Sequence, residues 1–319
     1  MRIIINKSAS RVLGLLLSLG LAACSSVPIA PPAGDAPAQE KPVASGPAAT
    51  VTPVPERRVP RIGLALGGGA ARGFAHVGVI QVLEEAGLAP QLVAGTSAGS
   101  LVAALYASGR SPQELRRIAD SMEEAQITDW MLPLLNRGAL RGEALARYVN
   151  TQVAGKSIEQ MKIPLGIVAT DLRTGEAVTF RRGNTGSAVR ASSAVPAVFQ
   201  PVRIGEHEYV DGGLVAPVPV RQAREMGANF VLAVDISSDP ESNPAGDTFQ
   251  ILLQTFAIMG KSINQLALKD ADMVVRPALS GVKSADFSAR RRSIEAGRLA
   301  MLAALPQLKA RLAAFERGE

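Results

Sequence analysis

Two short apolar runs each break into a glycine-rich turn and then a helix-length segment, an order that constrains the chain more than any other feature. Residues 61–66 suit a buried strand, 67–69 a turn, and 71–86 an amphipathic helix. Residues 91–95 then lead through 96–99 into a second helix that ends near Ser108 and Gly109. Strand, tight turn and helix in alternation predict parallel βαβ units, because parallel neighbours need a crossover rather than a hairpin. Further strands are expected at 165–170, 176–181, 209–210, 230–234 and 273–275. Helices are expected at 112–125, 142–153, 188–193, 219–226, 249–268 and 290–315. Residues 61–319 therefore read as one three-layer α/β domain, near the upper size for a single core.

The first sixty residues have a different texture. Arg2, Lys7 and Arg11 precede an apolar run at 12–21 and then Ala22, Ala23 and Cys24, the layout of a secretory signal over residues 1–23. The run is shorter than the ~20 apolar residues that a spanning helix needs. Leu21, Ala22, Ala23 and Cys24 resemble a bacterial lipobox, in which the cysteine thiol takes a diacylglyceryl group; the alternative is an ordinary signal peptide that leaves a free thiol. In bacterial lipoproteins a residue other than Asp after the cysteine implies release to the outer membrane, and here Ser25 follows. Nine of the 21 prolines fall between Ser25 and Pro60, so residues 24–60 read as a lipidated cysteine and an extended, PPII-like tether.

Charge and composition exclude other classes. The net charge of +6 falls by half without the three cations of the signal stretch, and aromatics are only 4% of residues, too little for a nucleic-acid footprint. One cysteine makes neither an internal disulfide nor a cysteine zinc site, and no carboxylate spacing suits a calcium loop. No metal or other cofactor is called for.

The chemistry lies in three glycine turns. Gly95-Thr96-Ser97-Ala98-Gly99 has the G-x-S-x-G form of a nucleophile elbow, where flanking glycines avoid clashes and the serine hydroxyl projects above the sheet. The bland alternative is a serine that caps its helix. Gly67-Gly68-Gly69-Ala70-Ala71-Arg72-Gly73 opens the first helix with outward backbone N–H groups, suited to a phosphate or to the oxyanion of acyl transfer. A dinucleotide fingerprint fails at Arg72, where a third glycine is needed. Asp211-Gly212-Gly213 ends a strand-like run with a carboxylate, which supplies either an activating group for Ser97 or a simple Asx-turn.

Counting excludes a histidine triad. The only histidines are His76 and His207, and neither follows Asp211 as an α/β-hydrolase order requires. His76 is read as structural and His207 as a solvent-exposed hairpin residue. A serine hydrolase built on this chain would run on Ser97 and Asp211 alone.

The three turns in this order resemble the patatin-like phospholipases, lipid acyl hydrolases with a Ser-Asp dyad. Residues 191–196, with Phe199 and Pro201, resemble the family's segment before the acid, and residues 169–172 also fit. The resemblance implies a three-layer α/β/α fold with a mainly parallel central sheet. It implies Ser97 as nucleophile, Asp211 as proton acceptor, and the N–H groups of Gly68 and Gly69 as oxyanion donors, with Arg72 anchoring that turn. The implied substrate is a phospholipid or lysophospholipid, reached from the membrane to which Cys24 tethers the domain on its periplasmic side. Trp130, Met131, Leu132, Leu134 and Leu135 read as core or as a lipid-facing mouth, residues 249–268 as core or lid, and Arg290, Arg291 and Arg292 as a solvated face or a headgroup contact. Two other classes stay open: a catalytically silent lipoprotein that binds lipid or a partner, and a nucleotide-binding regulator that uses residues 67–73.

Overall fold

The computed structural model describes residues 58–129, 137–242, 246–283 and 285–319. Cys24, the signal stretch, nearly all of the tether and the apolar cluster from Trp130 to Leu135 lie outside the described residues.

The body is a three-layer α/β/α structure. Its main sheet contains β1 (Ile62–Leu66), β2 (Leu92–Thr96), β4 (Leu165–Asp171), β5 (Ala177–Phe180), β7 (Val202–Ile204), β8 (His207–Asp211), β9 (Phe230–Val234) and β10 (Met273–Val275). The order is β10-β9-β1-β2-β4-β8-β7, with β5 also paired to β4. The pairs from β10 to β4 are parallel, and those among β4, β5, β7 and β8 are antiparallel.

Residue size decides which helices cover each face. Ile62, Leu64 and Leu66 of β1 enter one core with α1 (Ala75–Glu85), α2 (Ala98–Ala107), α3 (Pro112–Ser121) and α8 (Arg290–Arg317). On the other face Ala65, Ala94 and Ala233 pack with α6 (Val220–Glu225). A Cβ on Gly63 would lie 2.5 Å from that of Ala228, so β1 presents only small residues, Gly63 and Ala65, to this face. Burial on both faces is what a parallel strand flanked by crossover helices requires.

Three departures from the sequence reading have local causes. The segment expected as one helix from residue 71 begins as a 3-10 turn (Ala70–Phe74) and becomes α-helical only at Ala75. α3 stops at Ser121 because Met122 turns to an extended conformation and drops its side chain into the core. A small second sheet pairs β3 (Gly138–Leu140) with β6 (Ala197–Phe199), and β7 was also unforeseen; three-residue strands are too short to show alternation. The remaining helices are α4 (Glu143–Gln152), α5 (Thr185–Ser192) and α7 (Thr248–Ala267).

Candidate active site

Strand β4 brings the two proposed catalytic residues together. β2 runs parallel to it and ends with Thr96 opposite Val168, while β8 runs antiparallel and ends with Asp211 opposite Ala169. Two strand ends therefore arrive at adjacent residues of β4 from opposite directions. Gly212 has to be glycine here, since a Cβ would sit 2.2 Å from the Val168 carbonyl oxygen.

Ser97 occupies a strained turn. Its φ of 53° and ψ of −123° lie where a non-glycine residue rarely goes, at a cost of roughly 1–3 kcal/mol. The surroundings hold it there. A Cβ on Gly95 would fall 2.5 Å from the Gly99 oxygen, and one on Gly99 would fall 2.2 Å from the Leu66 oxygen, so β1, β2 and α2 meet backbone to backbone. The Ser97 N–H donates to Ser192 Oγ at 2.9 Å, and Ser192 Oγ donates to Val168 O at 2.5 Å.

Asp211 is 6% exposed. Its Oδ1 accepts from the Gly213 N–H at 2.6 Å, the Asx-turn considered from sequence, while Oδ2 has no hydrogen-bond partner among the described residues. Burial pushes its pKa up to about 6, against the pull of the Ser97 side chain and the Gly213 N–H. The Asx-turn engages only Oδ1 and leaves Oδ2 open.

The glycine turn at 67–73, the candidate oxyanion turn, departs from expectation in two respects. Gly68 N–H donates to Pro217 O at 2.9 Å and Gly67 N–H to Val234 O at 3.0 Å, which removes Gly68 as a donor. The next two N–H groups, of Gly69 and Ala70, have no carbonyl partner among the described residues. Anchoring by a side chain falls to His76, whose Nε2 contacts Gly67 O at 2.8 Å. Burial lowers the His76 pKa to about 4, so at neutral pH the ring is neutral and donates from Nε2. Arg72 closes the turn through its backbone N–H to Gly69 O at 3.2 Å. Its guanidinium is buried, its pKa lowered to about 10 by desolvation with Asp235 opposing, and its Nε has no partner among the described residues.

Ser97, Asp211, Gly68, Gly69 and Arg72 all line one cavity of about 1100 Å³. Its walls are apolar, from Val77, Leu101, Leu105 and Ile118 on one side to Leu253 and Phe256 of α7 on the other.

Residues 64–224, half of the 319-residue chain, match the patatin-like phospholipase family. The chain belongs to that family. An uncharacterized NTE family protein of Mycobacterium tuberculosis is 39% identical over 189 residues, covering 59% of this chain and 52% of that protein. Patatin-like phospholipase domain-containing protein 6 of Homo sapiens is 33% identical over 231 residues, 70% of this chain and 16% of that protein. The chain thus spans about half or less of the length of these relatives. Among solved structures, VipD from Legionella pneumophila superposes with a TM-score of 0.55 at 15% identity, over 79% of this chain and 68% of that one.

One position of this patatin-like domain escaped the sequence reading, whereas His207 is the exposed residue expected, in the hairpin of β7 and β8, where it also pairs with Asp171 at 2.7 Å. Ser192 stood inside a recognised segment but without a role. Its hydroxyl is fully buried and joins the Ser97 N–H to β4, so Ser192→Ala leaves a donor and an acceptor unpaired. Each such group costs about 1–3 kcal/mol. We expect Ser192→Ala to lower kcat for ester turnover about 10- to 100-fold with KM little changed, in the range of one such loss. An unchanged kcat would show that the elbow holds its shape without this contact.

Proposed function

We propose that this protein is a serine lipid acyl hydrolase that cleaves fatty acyl esters of phospholipids or lysophospholipids through a Ser97–Asp211 dyad. One observation carries the reading: a buried carboxylate with an uncommitted oxygen stands beside a serine held in a strained turn, on the wall of an apolar cavity. Family membership supports the same chemistry.

In this scheme Ser97 Oγ attacks the ester carbonyl carbon while its proton passes to Asp211 Oδ2. The carbonyl oxygen becomes an oxyanion facing the free N–H groups of Gly69 and Ala70, preorganised donors of the kind that stabilise such charge. The N-terminus of α2, which starts at Ala98, adds a partial positive charge behind the nucleophile. Collapse breaks the bond to the leaving alcohol, which takes the proton from Asp211. Water then gives a proton to Asp211 and attacks the acyl-serine, and as the fatty acid leaves Ser97 Oγ takes that proton back from Asp211. A carboxylate at the usual pKa of ~3.9 is a weak base, and desolvation brings Asp211 closer to the serine it serves.

The test is turnover of p-nitrophenyl esters across pH. Only the ionised carboxylate accepts a proton, so kcat/KM should climb with pH through about 6 and level off above it. A profile flat from pH 5 to 8 would remove Asp211 as the base, and no turnover by folded protein would favour a silent lipid-binding role. Lipidation of Cys24, with residues 25–60 tethering the domain on the periplasmic side of an outer membrane, belongs to the same proposal. The mass of the mature N-terminal peptide checks it.

A further inference from the structure

Helix α7 is apolar on two sides. Its inner side gives Leu253, Phe256, Ala257 and Gly260 to the wall of the catalytic cavity. On its outer side Ile251, Leu252, Ile258, Met259 and Leu266 are each more than a third exposed. Positions 251 and 258, and 252, 259 and 266, recur every seven residues and so form one stripe along the helix. Scattered surface leucines need no explanation, whereas a contiguous stripe beside a cavity marks an interaction surface.

Charge narrows the occupant. Over its 20 residues α7 has one charged side chain, Lys261, and no acid. Lys261 faces Asp239 at 3.2 Å. Exposed Lys283 lines the same cavity, and Arg292 donates to the carbonyl of Gly281, another lining residue. No described helix is long and apolar enough to cross a membrane. The acids next to α7 are Asp247 at its N-cap and Asp239, which Lys261 pairs, so an apolar stripe with no acid of its own, continuous with an acyl-sized cavity whose lining also carries Lys283, suits a helix lying in the plane of a bilayer surface.

We propose that the outer stripe of α7 docks onto a phospholipid bilayer with Ile258 and Met259 in the acyl boundary, so that the cavity opens onto the lipid rather than onto water. The proposal rests on the acyl hydrolase reading for its purpose but not for its readout. In the full chain carrying Cys24→Ser and Ser97→Ala, an environment-sensitive dye on Ile258→Cys should shift to the blue and brighten when phosphatidylethanolamine–phosphatidylglycerol vesicles are added. In the otherwise native chain, Ile258→Glu with Met259→Glu should cut hydrolysis of vesicle lipid by about tenfold or more, the scale expected for losing two buried apolar side chains. Turnover of a short, soluble p-nitrophenyl ester should stay within twofold.

A dye that ignores vesicles overturns the proposal. A blue shift that instead grows with protein concentration in the absence of lipid also overturns it, since the stripe would then cover a second copy. Equal loss on vesicles and on the soluble ester would mean damage to the cavity rather than loss of docking. If the native chain turns over no ester at all, the catalytic reading falls while the dye experiment still decides docking.

Discussion

Asp211→Asn is expected to abolish ester turnover and at the same time to raise the melting temperature at neutral pH. Loss of turnover follows from the chemistry, because an amide accepts no proton from Ser97; Ser97→Ala should lose activity to the same floor, and the double variant no more than either alone. The gain in stability follows from burial. Desolvation raises the Asp211 pKa to about 6 from 3.8, so the folded protein holds a proton that the unfolded chain has released. A group whose pKa is raised in the folded state contributes most below its unfolded pKa, and that contribution disappears as pH climbs through the folded value. Above about pH 6 the ionised carboxylate is a burden, worth very roughly 2–3 kcal/mol for a shift of this size. Replacing it with a neutral isostere should therefore raise the melting temperature by roughly 4 °C or more at pH 8, given ~2–4 °C per kcal/mol for a domain of this size. Near pH 4 the difference should vanish. A variant less stable at pH 8 than at pH 4, relative to wild type, would mean that the carboxylate is held by interactions stronger than its burial. Activity retained by either single variant would remove the dyad.

Much of this architecture was legible because it is local. Strands at residues 230–234 and 273–275 and the frame of every glycine turn follow from apolar runs broken by residues with special backbone freedom. The placing of Ser97 and Asp211, the proposed dyad, was legible for a related reason: the acid and the serine each sit where a strand stops, and strand ends can be read from sequence. What was not legible depends on partners far away in the chain. Gly68 looked like an oxyanion donor until Pro217, nearly 150 residues on, claimed its N–H. The role of Ser192 likewise needs the approach of α5 to β2, a separation of 95 residues. The poise of Asp211 is a property of burial, which no tripeptide shows. His76 was assigned a structural role by elimination, but its grip on the Gly67 carbonyl emerged only once the turn had a shape.

The largest effect on stability is expected at a helix crossing remote from the chemistry. α1 and α8 meet through two glycines: a Cβ on Gly78 would lie 2.0 Å from the Ile294 oxygen, and one on Gly297 would lie 1.9 Å from the Ala75 oxygen. Helix propensity alone argues for the opposite sign, since Gly→Ala inside a helix ordinarily gains about 1 kcal/mol. Steric overlap decides here, because both contacts are with backbone atoms of the partner helix, which move only if the helices separate. Overpacking a fixed core costs ~1–3 kcal/mol, and a backbone clash this deep belongs at the upper end or beyond. Gly297→Ala should therefore lower the melting temperature by roughly 6 °C or more, and Gly78→Ala by a similar amount. The displacement should also reach the active site, since the Ala75 carbonyl that Gly297 approaches precedes His76, and His76 holds the oxyanion turn. The variant should lose kcat even at temperatures where it is fully folded, while Leu299→Ala, at an exposed position of the same helix, should lose neither stability nor rate. A melting temperature unchanged or raised in Gly297→Ala would show that α8 can move away from α1 without cost, and the route from this crossing to the oxyanion turn would fall with it.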